Sequence, residues 1–373
     1  MDADELSRNF SNHLVYLQLM TSLEPGEGNI TTPTVKSALN EAFDFYKTTD
    51  EEGLLSKAPK LLETFQPIIE RFKSLSPLKV SLEQVATDFN VLFKNGHDAY
   101  SFGLEYKWLY ERMDCSRMGF PSDLPAHARI GIGHHAGRNS IEEQFLLHDA
   151  FFMLASAEEA FLNMHELAKN ANQKDSPINL NNIYLANSDV AAYSRLCIIS
   201  FFSFVEAFIN SIGHDFFLRN SNLLSQNDVE ILQGKKKDRF LSAEYKIEKF
   251  PSIIRPDKKS PIILSDTKQI KEPFTSFIEQ TKLIRDSSVH YTPLKEPIWR
   301  KPSDWVENAH LSSKLCCQVA QEFWKACYPD KNQPQYLGNL DYDNLLSSAK
   351  ERLKAKNDSL FYLHSSKGAT KEK

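Results

Sequence analysis

Between Val190 and Leu218 the chain leaves no gap in its apolar residues wider than one helical turn. In a helix, Leu196, Ile199, Phe202, Val205, Ala207, Ile209 and Ile212 would cover nearly the whole circumference. A helix apolar on all sides is either a core helix or a membrane span. Leu196 to Ile212 is short against the roughly 20 residues a span needs. It also contains Glu206, whose carboxylate would cost about 3 kcal/mol at a bilayer centre. The run therefore reads as a core helix, and Glu206 as a residue that must find a partner inside the fold. Asn210 lies one turn further on, so Ser203, Glu206 and Asn210 make a polar stripe along an apolar rod. A satisfied core network explains such a stripe as well as a functional role does.

A rod of that kind needs other helices to cover it, and the rest of the chain supplies them. Glycines number only 13 in 373 residues and alternating apolar runs are few, which points to a mainly α fold. Helical patterns run from Leu6 to Leu23, Thr31 to Lys47 and Leu54 to Leu75, the last interrupted by Pro59 and Pro67. Ser81 reads as an N-cap with Gln84 at the reciprocal position. The aromatic stretch Tyr100 to Tyr110 reads as helix. Residues 117–140 read as a loop with a short strand at Ala128 to Ile132. Strong patterns follow at Ile141 to Asn170, Asp266 to Asp286 and Pro302 to Tyr328. The polar stretch Asn172 to Asn182 is the best linker, and the charged tail after Lys350 should fray. This organisation gives a helical region at 1–175, a bundle at 185–330, and a C-terminal helix and tail at 331–373. The first region carries no catalytic pattern, and its size suits a sensing or regulatory role.

Composition excludes several classes. Apolar content of 41% and charged content of 25% are ordinary for a globular protein. A net charge of −5 gives no global sign of nucleic-acid binding, so any anion site must be local. The five cysteines form no CxxC, and adjacent Cys316 and Cys317 read as small core residues. The odd count and the acidic opening MDADELSRNF point to a reducing cytoplasm, with no membrane partner. No phosphate-cradling GxxxxGK[ST] or strand–GxGxxG–helix unit is present. His127, His134, His135 and His148, with Asp149, crowd one region, but without HExxH they read as loop histidines rather than a metal site. Neither a metal nor a cofactor is expected.

The candidate chemistry lies at Leu283 to Pro293, LIRDSSVHYTP. Pro293 disfavours helix at Thr292, which puts Arg285 and His290 at or just past a helix end. A guanidinium grips phosphate oxygens with parallel donors. An imidazole takes and returns a proton near neutral pH. Together they supply what RNA cleavage by an internal 2′-hydroxyl requires, with Arg285 offsetting charge in the transition state. Chance alone gives roughly 0.4 matches to R-x4-H in this composition, and the chain has three: Arg8/His13, Arg129/His134 and Arg285/His290. Only the third follows a helix that itself follows the long apolar one. From Gly234 to Arg300 there are 15 Lys or Arg against 9 Asp or Glu, a local +6. Within it Lys235, Lys236, Lys237 and Arg239 could follow a phosphate backbone.

The order S-F-V-E-A-F-I-N on a core helix, a basic connection, then R-D-x-x-x-H at a helix end resembles the HEPN superfamily. The resemblance covers residues 185–330. It implies a small helical bundle, often homodimeric, in which two copies of the motif build one RNA cleft. It also implies metal-independent ribonuclease activity in a toxin or antiviral-defence role, with an inhibitor or antitoxin protein as partner. On this reading Arg285, Asp286 and His290 are catalytic, with Asp286 orienting Arg285. Glu206 and Asn210 are supporting, and the partner is RNA. The alternative expectation is a binding module without chemistry, in which Arg285 only pairs with Glu206 or Asp286.

Overall fold

The computed structural model describes residues 2–23, 33–94, 104–115, 124–131, 138–171, 180–236, 239–264, 266, 271–290 and 300–368. The fold is mainly α, in two compact units, Met1–Ile141 and Glu142–Lys373.

In the first unit α1 (Ala3–Leu23) packs against α2 (Pro33–Thr48), α3 (Glu51–Leu75) and α4 (Leu82–Lys94). Phe10, Leu14, Tyr16, Leu17 and Met20 of α1 are buried among Phe65, Ile69, Phe72 and Phe89. The expected cap at Ser81 is present: its Oγ accepts from the Gln84 amide at 3.0 Å. Asp50 caps α3 through the Gly53 amide at 2.9 Å. Pro59 and Pro67 do not interrupt α3. Both prolines lie on its exposed side, as do Leu55 and Glu63, the residues whose carbonyls lose a helical donor, so solvent can serve them. The aromatic stretch is only partly helical. Leu104–Glu105 is a strand (β1), and α5 (Tyr106–Arg112) follows. The expected short strand is β2 (Arg129–Gly131), paired antiparallel between β1 and β3 (Arg138–Ser140).

The second unit is built on α6 (Glu142–Ala171) and the long apolar helix α7 (Leu180–Asn220), which lie against each other, with α11 (Pro302–Cys327) packed on both. Its core includes Phe151, Leu154, Phe201, Phe204, Phe208, Phe250, Phe277 and Phe323. The helix α6 was expected to belong with the N-terminal region. Its apolar face instead belongs to this core through Leu147, Ala150, Phe151 and Leu154, so the division falls at Ile141. Of the stretch Asn172–Asn182, expected to be the linker, residues 172–179 lie outside the described residues, and Leu180 to Asn182 already belong to α7. By length and composition α7 would pass for a membrane span, but 56% of its most apolar window is buried inside the fold.

After α7 come α8 (Gln226–Leu232), a hairpin of β4 (Lys235–Lys236) and β5 (Arg239–Phe240), and α9 (Ala243–Ile254). The site helix begins with a single α turn at Phe274–Ser276. It continues as a π segment, Phe277–Lys282, and closes with α10 (Leu283–Val289). The tail after Lys350 was expected to fray. Through Gly368 it continues α12 (Tyr342–Gly368), whose first half docks on α6: Lys350 pairs with Glu158 at 2.6 Å and Tyr342 meets the Phe151 ring edge-on at 5.1 Å. All five cysteines are free and buried. Burial pushes the Cys115 thiol up to about 11 and that of Cys317 to about 12, which leaves neither as a thiolate nucleophile near neutrality.

Candidate functional site

The partner that Glu206 requires is Arg285. Phe202, Glu206 and Asn210 recur every four residues along α7 and so share one face. Phe202 stacks on Phe277 of the π segment, centroids 5.3 Å apart and rings 6° from parallel. The Arg285 guanidinium lies over the other ring, 4.2 Å from the Phe202 centroid. Its Nη2 donates to Glu206 Oε2 at 3.1 Å and its Nη1 to Asp286 Oδ1 at 2.7 Å. An aromatic floor and two carboxylates thus fix the fork in place. Donors remain on the guanidinium beyond those two bonds, and the side chain is 22% exposed, so an oxyanion can approach it.

The charges alternate onward from there. Lys282 Nζ meets Asp286 Oδ2 and Glu244 Oε1, each at 3.0 Å. Lys246, buried at 9% exposure, donates to Asn210 Oδ1 at 2.8 Å. Among the described residues, Glu206, Glu244 and Asp286 are balanced by Arg285 and Lys282 in direct ion pairs and by Lys246 close by. Burial depresses the Lys246 pKa, and the charge of Glu206 offsets part of that. Burial alone would raise the pKa of Asp286. The bonds from Lys282 and Arg285 outweigh it and hold the carboxyl below its ordinary 3.8.

That depression makes Asp286 a stabilising group above its unfolded pKa. Its contribution fades as pH falls through the lower folded value. Asp286→Asn removes this term. Thermal melts from pH 7 down to about 3 should therefore show wild type losing its advantage over the variant only on the acid side, below about pH 4. Parallel curves over the whole range would mean that the Asp286 bonds contribute no stability.

His290 follows α10 as its C-cap, with its amide bonded to the Asp286 carbonyl at 2.9 Å. It is exposed. Five residues of regular helix would turn it about 140° from Arg285. Its φ of −123° and ψ of 60° end the helix there, but its amide still makes the helical bond to Asp286, so its Cα keeps roughly that place on the helix surface. Between the two, Ser287 and Ser288 return their hydroxyls to the carbonyls of Leu283 and Ile284, each at 2.8 Å. These serines are occupied by the helix itself.

Of the expected set, hydrogen bonds join Arg285, Asp286 and Glu206; Asn210, one turn along the same face of α7, bonds Lys246 instead, and His290 caps the end of the helix that carries Arg285. Lys235 and Arg239 stand exposed on the hairpin, whose strand β4 includes the Lys236 backbone, while Lys237 lies outside the described residues. Of the histidine-rich region, His134 and His135 lie outside them too. His148 sits on α6, where burial lowers its pKa. Among the described residues no group of three or more His, Cys, Asp or Glu is placed to hold a metal ion. The R-x4-H match at Arg8/His13 lies within α1, where His13 Nδ1 bonds the Asn9 carbonyl at 2.7 Å.

Sequence reasoning missed Phe202, Phe277, Lys282, Glu244 and Lys246 as parts of the site. Only Lys282 left a signal, its i, i+4 spacing to Asp286. The π segment left none, although π turns are rare and concentrate at functional sites. No family model matches the chain, and no curated protein or solved structure matches it.

Proposed function

We propose that the protein is a HEPN-type endoribonuclease that cleaves RNA without a metal. The observation that carries the reading is the grip of Glu206 on Arg285, which joins the E-A-F-I-N helix to the R-D-x-x-x-H helix end at one point. The 2′-hydroxyl attacks the adjacent phosphorus and gives up its proton to a base. The 5′-oxygen departs and takes a proton from an acid. The products are a 2′,3′-cyclic phosphate and a 5′-hydroxyl. His290 exchanges those protons, and an exposed position suits it to reach them. Arg285 exchanges one carboxylate contact for the phosphate and offsets its growing charge. Asp286 and Glu206 orient the fork. A single histidine serves one proton at a time, and a homodimer with two motifs facing one strand would supply both the base and the acid. A toxin or antiviral-defence role in the cytoplasm, with the first unit, Met1–Ile141, sensing a trigger or binding an inhibitor protein, completes the reading.

The test is cleavage of an unstructured RNA by purified protein in excess EDTA, with the product ends identified. A matched RNA carrying a single 2′-deoxy sugar at the cut position is run in parallel. Cyclic phosphate ends are expected, with cleavage lost at the deoxy position. Cleavage that survives the deoxy substitution would rule out this chemistry.

One observation favours a second reading. Arg285 already has two carboxylate partners and the described charges around it balance, as in a bundle held together for binding alone. Under that reading RNA is retained and never cut.

A further inference from the structure

Lys246 is hard to explain as a structural residue. It lies on α9 at 9% exposure, yet among the described residues it forms no ion pair, and its one hydrogen bond goes to a neutral acceptor, Asn210 Oδ1, at 2.8 Å. A buried ammonium without a carboxylate partner costs stability that an apolar side chain of similar length would not. The fold nevertheless makes room for it. The chain leaves α8 through Gly234, which has φ +70°, and an added Cβ there would lie 3.1 Å from both Cε and Nζ of Lys246. The turn thus closes over the ammonium on one side. Of the three ammonium protons, only the one on Asn210 makes a hydrogen bond to the described residues.

What lies next to it is the carboxylate that holds Arg285. Glu206 and Asn210 are four residues apart on α7, so their side chains are neighbours, with Cβ atoms about 6 Å apart. The Glu206 charge acts on Lys246 without an ion-pair contact. Glu206 thus stands between two cations and touches one of them. Its Oε2 takes Arg285 Nη2, and among the described residues its Oε1 accepts no hydrogen bond. The other carboxylate on the guanidinium is engaged at both oxygens, Oδ1 of Asp286 by Arg285 and Oδ2 by Lys282. A phosphate that displaces one carboxylate from Arg285 therefore meets least resistance at Glu206, whose side chain is 38% exposed and has room to turn. The displaced charge then has a destination in the unused protons of Lys246.

We propose that Lys246 is a positioning residue that receives the Glu206 carboxylate when Arg285 releases it to an RNA phosphate. The proposal rests on the reading of Arg285 as the phosphate-binding group. The experiment measures Kd by fluorescence anisotropy for the full-length wild type, Lys246→Met, Asn210→Ala, Glu206→Gln and the Glu206→Gln/Lys246→Met pair. The probe is a labelled unstructured RNA methylated at every 2′-hydroxyl, which this chemistry cannot cut, and thermal melts confirm that each variant folds. Lys246→Met is expected to raise Kd about tenfold, because Glu206 then keeps the guanidinium. Asn210→Ala is expected to act in the opposite direction and lower Kd about threefold, because an ammonium that has lost its acceptor turns to Glu206 before any phosphate arrives. A merely structural lysine would make both variants weaker binders. Added to Glu206→Gln, which has no charge to hand over, Lys246→Met should have almost no effect. On cleavable RNA, Lys246→Met should raise KM with kcat little changed. Wild-type affinity in Lys246→Met would overturn the proposal, as would weakened binding by Asn210→Ala. Should Lys246→Met fail to fold, the sign of the Asn210→Ala change decides alone. If the opposite signs appear and no RNA is cut, the proposal stands and the ribonuclease reading fails. If RNA is cut and Lys246→Met binds it like wild type, the reverse holds.

Discussion

Arg285→Ala is expected to lower RNA cleavage by about 100- to 1,000-fold, the loss typical when one preorganised donor to a transition-state oxyanion is removed. Arg285→Lys should recover little of it. A lysine keeps the charge but not the planar fork, and here the fork spans Glu206 and Asp286 while lying flat on Phe202. The fold should survive either change. Glu206 is 38% exposed, so solvent can take over its carboxylate when the guanidinium goes. The arginine–ring contact contributes about 1 kcal/mol. A melting temperature within a few degrees of wild type, together with the lost activity, would place the effect in the chemistry. Unchanged cleavage by Arg285→Ala would remove Arg285 from the mechanism.

Gly213→Ala should be among the most damaging single-methyl changes in the second unit. In an exposed helix this substitution gains about 1 kcal/mol of propensity. Gly213, however, is buried on α7. An added Cβ would lie 2.5 Å from Phe250 Cε2 and 2.7 Å from the Leu232 carbonyl oxygen. One obstacle is a fully buried ring and the other is backbone, so neither can yield cheaply. Overpacking of this kind costs about 3 kcal/mol. The clash therefore wins, and the melting temperature should fall by roughly 5–10 °C. Gly338→Ala, whose Cβ would meet nothing nearer than 3.5 Å, serves as the control. Calorimetry on both variants checks the pair, and equal melting temperatures would contradict the tight approach of α7 to α8 and α9.

Much of this architecture was legible because helices write their buried faces into the sequence with a period. The apolar run around Phe202 and Val205 announced a covered rod, and the amphipathic pattern at Phe151 and Leu154 announced one of its covers. What stayed hidden depends on pairs distant in sequence, which leave no period. Lys246 reaching Asn210 across 36 residues is one such pair. Lys350 reaching Glu158 is another, and it docks the start of the helix that runs on into the charged C-terminal stretch. Strands of two residues, as in the hairpin carrying Phe240, are too short to alternate visibly. Within the site, the Arg285 and Glu206 segments could be singled out from the order of their motifs. Their contact was expected only under the alternative of a binding module, and the aromatic floor beneath it not at all, since Phe202 and Phe277 look like any other core residues.

The most direct measurement is a double-mutant cycle on cleavage of a single-stranded RNA in EDTA, using Arg285→Ala, His290→Ala and the two combined. Groups that act as a unit on one phosphate are grossly non-additive. Each single variant should lose nearly all cleavage, and the double variant should be little worse than either. Wild-type rates of cyclic-phosphate formation in the double variant would contradict the assignment of this helix end as the catalytic site.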